Sequence, residues 1–260
     1  MSKEILHIWG PFSIQSYGLF VVIGLVISIC LFLKDPKRKN IISYDNFSKV
    51  IVLTVFSAII GGRILYLIED FSAISNFWDI FKLWEGGLSS IGSIVAILTV
   101  LPIYLKKLKV PFIQFLDLAA IYAPLLESSA RIGCFLAGCC YGKETLLPWA
   151  VVYTDPTSVA PLHQALHPTQ IYSSIAALAI FFLMKFVFAK KLKRSGQLIF
   201  SYLMLTSIAR FSIDFLRGDQ TFFTKTGIIS LLSTSQWLSL LICAISFTTI
   251  VTIQNVSKNR

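Results

Sequence analysis

Charged side chains are scarce in this chain, making up 14% of its 260 residues against 55% that are hydrophobic. The mean hydropathy is +0.75, a balance that excludes a water-soluble domain of this length. Acids are scarcer than bases, 13 against 23, for a formal net charge of +10. Such an excess would suggest nucleic acid in a soluble protein, but no basic stripe interleaved with aromatics lies outside the apolar runs, so no nucleic-acid partner is expected. Five cysteines are too few and too scattered for a disulfide scaffold. Internal repeats and low-complexity tracts are absent, and a single integral membrane domain over residues 1–260 is expected. The first 16 residues hold no basic region followed by a small-residue cleavage site, so no removable signal peptide is expected.

What the chain does hold is a series of apolar runs, at residues 17–33, 47–68, 87–105, 110–135, 169–189, 197–216 and 236–253. Each is long enough to cross about 30 Å of hydrocarbon. Lysine and arginine collect after alternate runs: Lys34, Lys37, Arg38 and Lys39, then Lys106, Lys107 and Lys109, then Lys190, Lys191, Lys193 and Arg194, and finally Lys258 and Arg260. The intervening connections have few cations and several acids. The expectation is an all-α polytopic membrane protein with seven transmembrane helices, its N-terminus outside and its C-terminus cytoplasmic. Between the second and third runs, Phe71, Ile74, Phe77, Trp78, Phe81 and Trp84 recur at three- and four-residue spacing. A short interfacial helix and an ordinary loop with aromatic anchors both fit that pattern.

The stretch from Ser128 to Gly142 places Arg131, three cysteines and three glycines at the end of an apolar run. A cation in hydrocarbon costs about 2.5 to 3.5 kcal/mol on insertion scales, so it is normally kept with an acid, a cavity or a substrate. A helical rise of 1.5 Å per residue puts Arg63 roughly 24 Å, Arg210 roughly 20 Å and Arg131 roughly 31 Å from the cytoplasmic ends of their runs. All three fall in the outer half, where Tyr17 opens the first run and the 141–168 loop delivers His163, His167 and Gln170. Guanidinium groups at one depth suit a phosphate-bearing lipid headgroup, which they match in bidentate geometry. The competing reading is local neutralisation, because Glu127 and Arg131, like Arg210 and Asp214, stand four apart on a helix. His7 is expected to be an interface residue with no role.

Six blocks carry a resemblance. Gly10-Pro11-Phe12-Ser13-Ile14-Gln15-Ser16-Tyr17-Gly18-Leu19, Gly61-Gly62-Arg63-Ile64-Leu65-Tyr66, Trp84-Glu85-Gly86-Gly87-Leu88-Ser89, Ala130-Arg131-Ile132-Gly133, His167-Pro168-Thr169-Gln170-Ile171-Tyr172 and Ala209-Arg210-Phe211-Ser212-Ile213-Asp214-Phe215 resemble, in order and spacing, those of the prolipoprotein diacylglyceryl transferase family. The resemblance implies a bacterial cytoplasmic (inner) membrane enzyme that moves the diacylglyceryl group of phosphatidylglycerol to the lipobox cysteine thiol of a preprolipoprotein and releases glycerol phosphate. Its partners would be phosphatidylglycerol, the preprolipoprotein signal-peptide region and membrane lipids, with no cofactor and no metal. By position, Arg131 and Arg210 match the family's two essential arginines, Tyr17 its N-terminal tyrosine, Asp117 its acid in the fourth span and Gly142 the glycine closing its signature. Arg63, Ser89 and Gln170 fall in its blocks and are expected to contact substrate.

The chain also departs from the family's pattern. Ile91 stands where the family usually has a histidine, and isoleucine carries no proton. Cys134, Ala137 and Cys139 replace two asparagines and a glutamate, Thr206 replaces a tyrosine and Ser173 a glutamate. Glu127, His163 and His167 are the candidates for a relocated base, with His167 also suited to bracing the loop before Pro168. Cys134, Cys139 and Cys140 admit three accounts: a zinc or copper site with a histidine, a disulfide, or small residues that permit tight helix packing, the last being preferred because no Cys-x-x-Cys spacing is present. Two other classes of function therefore stand beside the transferase. One is a catalytically silent phospholipid-binding protein, and the other a membrane thiol-redox or metal enzyme.

Overall fold

A computed structural model of the chain describes residues 4–9, 12–70, 87–222 and 228–256. The reading of residues 71–84 as an interfacial helix or loop lies outside them. The chain forms two compact units: Met1–His7, Ile14–Lys34 and Leu116–Arg260 make the larger, and Ile8–Ser13 with Asp35–Phe115 the smaller.

Every expected apolar run is helical. They correspond to α1 (Ser16–Lys34), α2 (Tyr44–Glu69), α3 (Ser90–Lys107), α4 (Phe112–Ala137), α5 (Thr169–Phe182, continued by a π-helical stretch Leu183–Phe188 and a last turn Ala189–Lys191), α6 (Gln197–Asp214) and α7 (Thr234–Val256). Five of them, α1, α2, α3, α5 with its continuation and α7, are long and apolar enough to cross a membrane. The other two, α4 and α6, carry Glu127, Arg131, Arg210 and Asp214, which lowers their apolarity. The body is helical as expected, with short strands added: β1 (Glu4–Trp9) pairs with β2 (Phe12–Gln15), and β3 (Val151–Val152) pairs antiparallel with β4 (Ala165–Leu166). Two-residue strands leave no alternation to read in a sequence.

In the smaller unit α2 starts at Ser43, whose hydroxyl accepts from the Asn46 amide at 3.3 Å. It packs on α3 through small residues. A Cβ at Gly61 would lie 2.6 Å from the Gly92 carbonyl oxygen, and Ser93 Oγ donates to the Ala58 carbonyl at 2.8 Å. Close backbone approach of this kind supplies dispersion and polar contact where lipid offers no hydrophobic drive. Gly92→Val is accordingly expected to destabilise the fold by about 1 to 3 kcal/mol through overpacking. Gly18→Ala, with nothing within 4 Å of the added carbon, is expected to leave it unchanged. Thermal midpoints of the two variants in detergent test this.

The larger unit is stitched by serines. Ser28 on α1 donates to the Tyr122 carbonyl on α4 at 3.2 Å, and Ser129 on α4 to the Phe20 carbonyl at 2.6 Å. Ser128 and Ser174 join α4 to α5 with their hydroxyls 2.9 Å apart, each also donating to the other's carbonyl at 3.0 Å. Between α4 and α5 the chain folds over a small core of Tyr153, Ala160 and Leu166. Tyr153 is fully buried, and its hydroxyl donates to the Phe135 carbonyl at 3.2 Å. Burial pushes its pKa up from 10.0 to about 12. The neutral ring is thus favoured in the folded state, and its contribution is complete below the unfolded pKa and lost as pH rises from about 10 to 12. Tyr153→Phe is expected to flatten that alkaline loss, seen as the pH dependence of the unfolding midpoint.

Candidate functional site

Two helices bring the arginines together. Glu127 and Arg131 stand one turn apart on α4, and Thr206, Arg210 and Ile213 recur at helical spacing on α6. They line one cleft with Ser173, Ala177 and Ile180 of α5. Its enclosed space is about 20 Å³, room for a single water. Ser173 and Thr206, two of the residues at which the chain departs from the family pattern, both sit on its wall.

Each arginine also has its neighbouring acid. Arg131 Nη2 lies 4.0 Å from Glu127 Oε1, and Arg210 Nη2 lies 3.5 Å from Asp214 Oδ1. These are long contacts. The arginine side chains remain 20% and 33% exposed, which leaves guanidinium faces available to an anion. Each arginine thus keeps its acid and still lines the common cleft. Tyr202, one turn before Thr206, is an electrostatic neighbour of Glu127.

Asp214 is 1% exposed and heavily engaged. Ser233 and Ser235, at the start of α7, donate to its Oδ2, and Arg217 Nε stands 3.7 Å from its Oδ1. Arg217 itself makes a fork with Asp219, Nε to Oδ1 at 2.9 Å and Nη2 to Oδ2 at 2.8 Å. Burial works against its charge, but the fork and the neighbouring anionic groups outweigh it and hold its pKa above the usual arginine value. Sequence reasoning missed Arg217. Its signal was local: an arginine bracketed by Asp214 and Asp219 directly after α6.

The remaining expected residues fall elsewhere. Asp117 stands 14 positions before Arg131, roughly 21 Å along α4. Its Oδ2 accepts from the Gly196 amide at 2.6 Å and its Oδ1 from the Ile199 amide at 2.9 Å, so it caps the N-terminus of α6. Gln170 is buried. Its Nε2 donates to the Cys139 carbonyl at 2.7 Å and to the Tyr153 hydroxyl at 3.2 Å, while its Oε1 has no hydrogen-bond partner. Gly142 meets the backbone of His167 so closely that a Cβ there would sit 2.5 Å from the His167 Cβ. His167 Nδ1 is 3.4 Å from the Tyr172 hydroxyl, which accepts from Trp149 Nε1 at 2.7 Å. That arrangement braces the loop, and His167 is not among the residues lining the cleft. His163 is exposed, with a positive φ of 59°. Tyr17 is 47% exposed, and its Cα would lie 2.9 Å from a Cβ at Gly133.

Arg63 and Ser89 belong to the smaller unit. Arg63 Nη1 donates to the Gly87 carbonyl at 3.1 Å, and its guanidinium stands 5.5 Å over the Tyr66 ring. The Ser89 amide donates to the Gly62 carbonyl at 2.9 Å. Ile91 is 63% exposed.

All five cysteines are free. Cys134 lies in the last turns of α4, and Gly138, with φ +73°, ends the helix. Cys139 Sγ then points back to the Cys134 carbonyl at 3.7 Å, and Cys140 takes a left-handed φ of 58°. The sulfurs of Cys134, Cys139 and Cys140 all lie within 4.8 Å of one another.

The profile of a protein family, prolipoprotein diacylglyceryl transferase, matches residues 3–252. The phosphatidylglycerol–prolipoprotein diacylglyceryl transferase of Clostridium tetani is 33% identical over 240 residues, covering 92% of this chain and 93% of the relative. A second, from Clostridium perfringens, is 34% identical over 233 residues, with 88% and 87% covered. A third, from Thermotoga maritima, is 32% identical over 237 residues, with 90% and 80% covered.

Proposed function

We propose, from the premise that the chain belongs to the prolipoprotein diacylglyceryl transferase family, that it moves diacylglyceryl from phosphatidylglycerol to the cysteine thiol of a prolipoprotein. The observation that carries this reading is the convergence of Arg131 and Arg210, from two helices, on one cleft. In the transfer a thiolate sulfur attacks the glyceryl carbon that bears the phosphate ester. An S–C bond forms, the C–O bond breaks, and glycerol phosphate leaves with the electron pair. The departing group gains negative charge, and preorganised cations at its position stabilise that change more than they stabilise the bound lipid.

Arg131 and Arg210 take the phosphate. Glu127, on the cleft wall, holds Arg131. Ser173 and Thr206, smaller than the residues the family pattern expects there, leave the guanidinium groups less crowded. Arg63, Ser89 and Tyr17 contact the lipid or the acceptor, His167 acts through bracing, and Asp117, Gly142 and Gln170 position the elements around the cleft. The helices make seven spans in a bacterial cytoplasmic membrane, with the N-terminus outside by the lysine and arginine bias. The acceptor enters by its signal-peptide region.

Purified protein reconstituted with phosphatidylglycerol and a lipobox peptide is expected to add the mass of one diacylglyceryl group to the peptide cysteine. A folded, lipid-binding preparation that yields no adduct would favour the silent phospholipid binder.

A further inference from the structure

We infer that Cys134, Cys139 and Cys140 form a zinc site, three thiolates on one face of the ion with the fourth position left for the acceptor cysteine. The second half of this inference rests on the transferase reading. The first rests on the chain alone.

Consecutive side chains on an extended backbone point to opposite faces, so adjacent cysteines do not ordinarily turn toward one partner. Here the left-handed turn at Cys140 brings both sulfurs to Cys134, with all three within 4.8 Å of one another. Zinc–sulfur bonds of about 2.3 Å in a tetrahedron set sulfurs roughly 3.8 Å apart, so closure on an ion needs only side-chain adjustment. The loop is held in place from below. The Cys139 carbonyl accepts from Gln170 at 2.7 Å and the Cys140 carbonyl from Thr169 Oγ1 at 2.8 Å. Non-glycine residues enter the left-handed region only at a steric cost, and cysteines serving only as small packing residues need no such turn.

Charge agrees with the assignment. Three thiolates around a divalent ion leave a net negative site, and Arg131, Arg210 and Arg217 are the charged neighbours of Cys140. Cys134 is buried, while Cys139 and Cys140 are half-buried, which gives a sulfur ligand an approach to the open side. One cleft arginine and one cluster cysteine share α4, Arg131 and Cys134 standing three residues apart. Thiolate ligands select soft ions, and zinc takes a fourth ligand readily. A thiol that binds there does so as thiolate, its proton passing to water. It then attacks the glyceryl carbon, glycerol phosphate departs, and the resulting thioether, a weaker ligand, is released. This supplies the thiolate in a chain whose Ile91 carries no proton.

The test uses the full chain purified in detergent under reducing, oxygen-free conditions, with zinc measured per chain and cobalt substituted for spectroscopy. Expected are one zinc per chain and a tetrahedral cobalt spectrum with a sulfur charge-transfer band. Cys134→Ser, Cys139→Ser or Cys140→Ser should weaken zinc binding by about tenfold or more, while Cys30→Ser and Cys243→Ser leave it unchanged. A lipobox peptide should alter the cobalt bands, and its cysteine-to-serine version should not. Three reactive thiols with no zinc, or a disulfide between any two of the three, would overturn the site. Zinc binding without a peptide-dependent spectral change would overturn the fourth position. Zinc and peptide thiol both bound, with no diacylglyceryl adduct, would overturn the transferase reading and leave the metal site standing.

Discussion

Arg210→Ala and Arg131→Ala are each expected to lower the rate of diacylglyceryl transfer by about 10²- to 10³-fold, the loss typical of removing one preorganised donor from a developing anion. The two guanidinium groups line one cleft from two helices, and on the proposed reading they act on one phosphate. The double variant should then lose less than the product of the single losses, because groups acting as a unit are not additive. Lysine at either position should recover only part of the rate, since an ammonium cannot make the bidentate contact. The variants should still fold, because Asp214 keeps Arg217 and two serine hydroxyls when Arg210 is removed. Initial rates with phosphatidylglycerol and a lipobox peptide, read by mass, measure this. Near-normal rates in both single variants would refute the assignment.

Asp214→Ala is expected to have the largest effect on stability. Its carboxylate is buried between Arg210 at 3.5 Å and Arg217 at 3.7 Å and accepts from Ser233 and Ser235. Removing one partner of a buried ion pair costs about 3 to 5 kcal/mol, because the remaining charge is left uncompensated. Here two guanidinium groups lose an anion, and two hydroxyls at the start of α7 lose their acceptor. Asp214→Asn should be milder, since it keeps an oxygen for the serines and loses only the charge. The expected order of unfolding midpoints in detergent is wild type, then asparagine, then alanine. An alanine variant as stable as wild type would show that the α6–α7 end is held by other contacts.

The helices were legible because apolar length alone announces them. Each of the seven runs is helical, and the two that fall short of spanning apolarity are those bearing Glu127, Arg131, Arg210 and Asp214. The same cost of charge in hydrocarbon that exposes those residues in the sequence also lowers the apolarity of their helices. The meeting of Arg131 and Arg210 in one cleft was legible because helical spacing fixes depth. What spacing could not give was partnership across the fold. Asp117 reads as an intramembrane acid, yet it caps a helix whose first turn lies 79 positions away. Gln170 reads as a substrate contact, and its amide also holds the Cys139 carbonyl, 31 positions back. Arg217 reads as a loop residue because the bridge between Gly142 and Arg217 that seats it is purely tertiary. The cysteines lack the spacing of a metal motif, and only the left-handed backbone at Cys140 makes their sulfurs meet.

The account depends on one grip, two guanidinium groups on one phospholipid phosphate. Native mass spectrometry of the chain released from membranes containing phosphatidylglycerol and phosphatidylethanolamine tests it directly. The wild type should retain phosphatidylglycerol in preference, and the Arg131→Ala, Arg210→Ala double variant should retain it no more than the surrounding lipid. Equal retention by the two proteins would contradict the account.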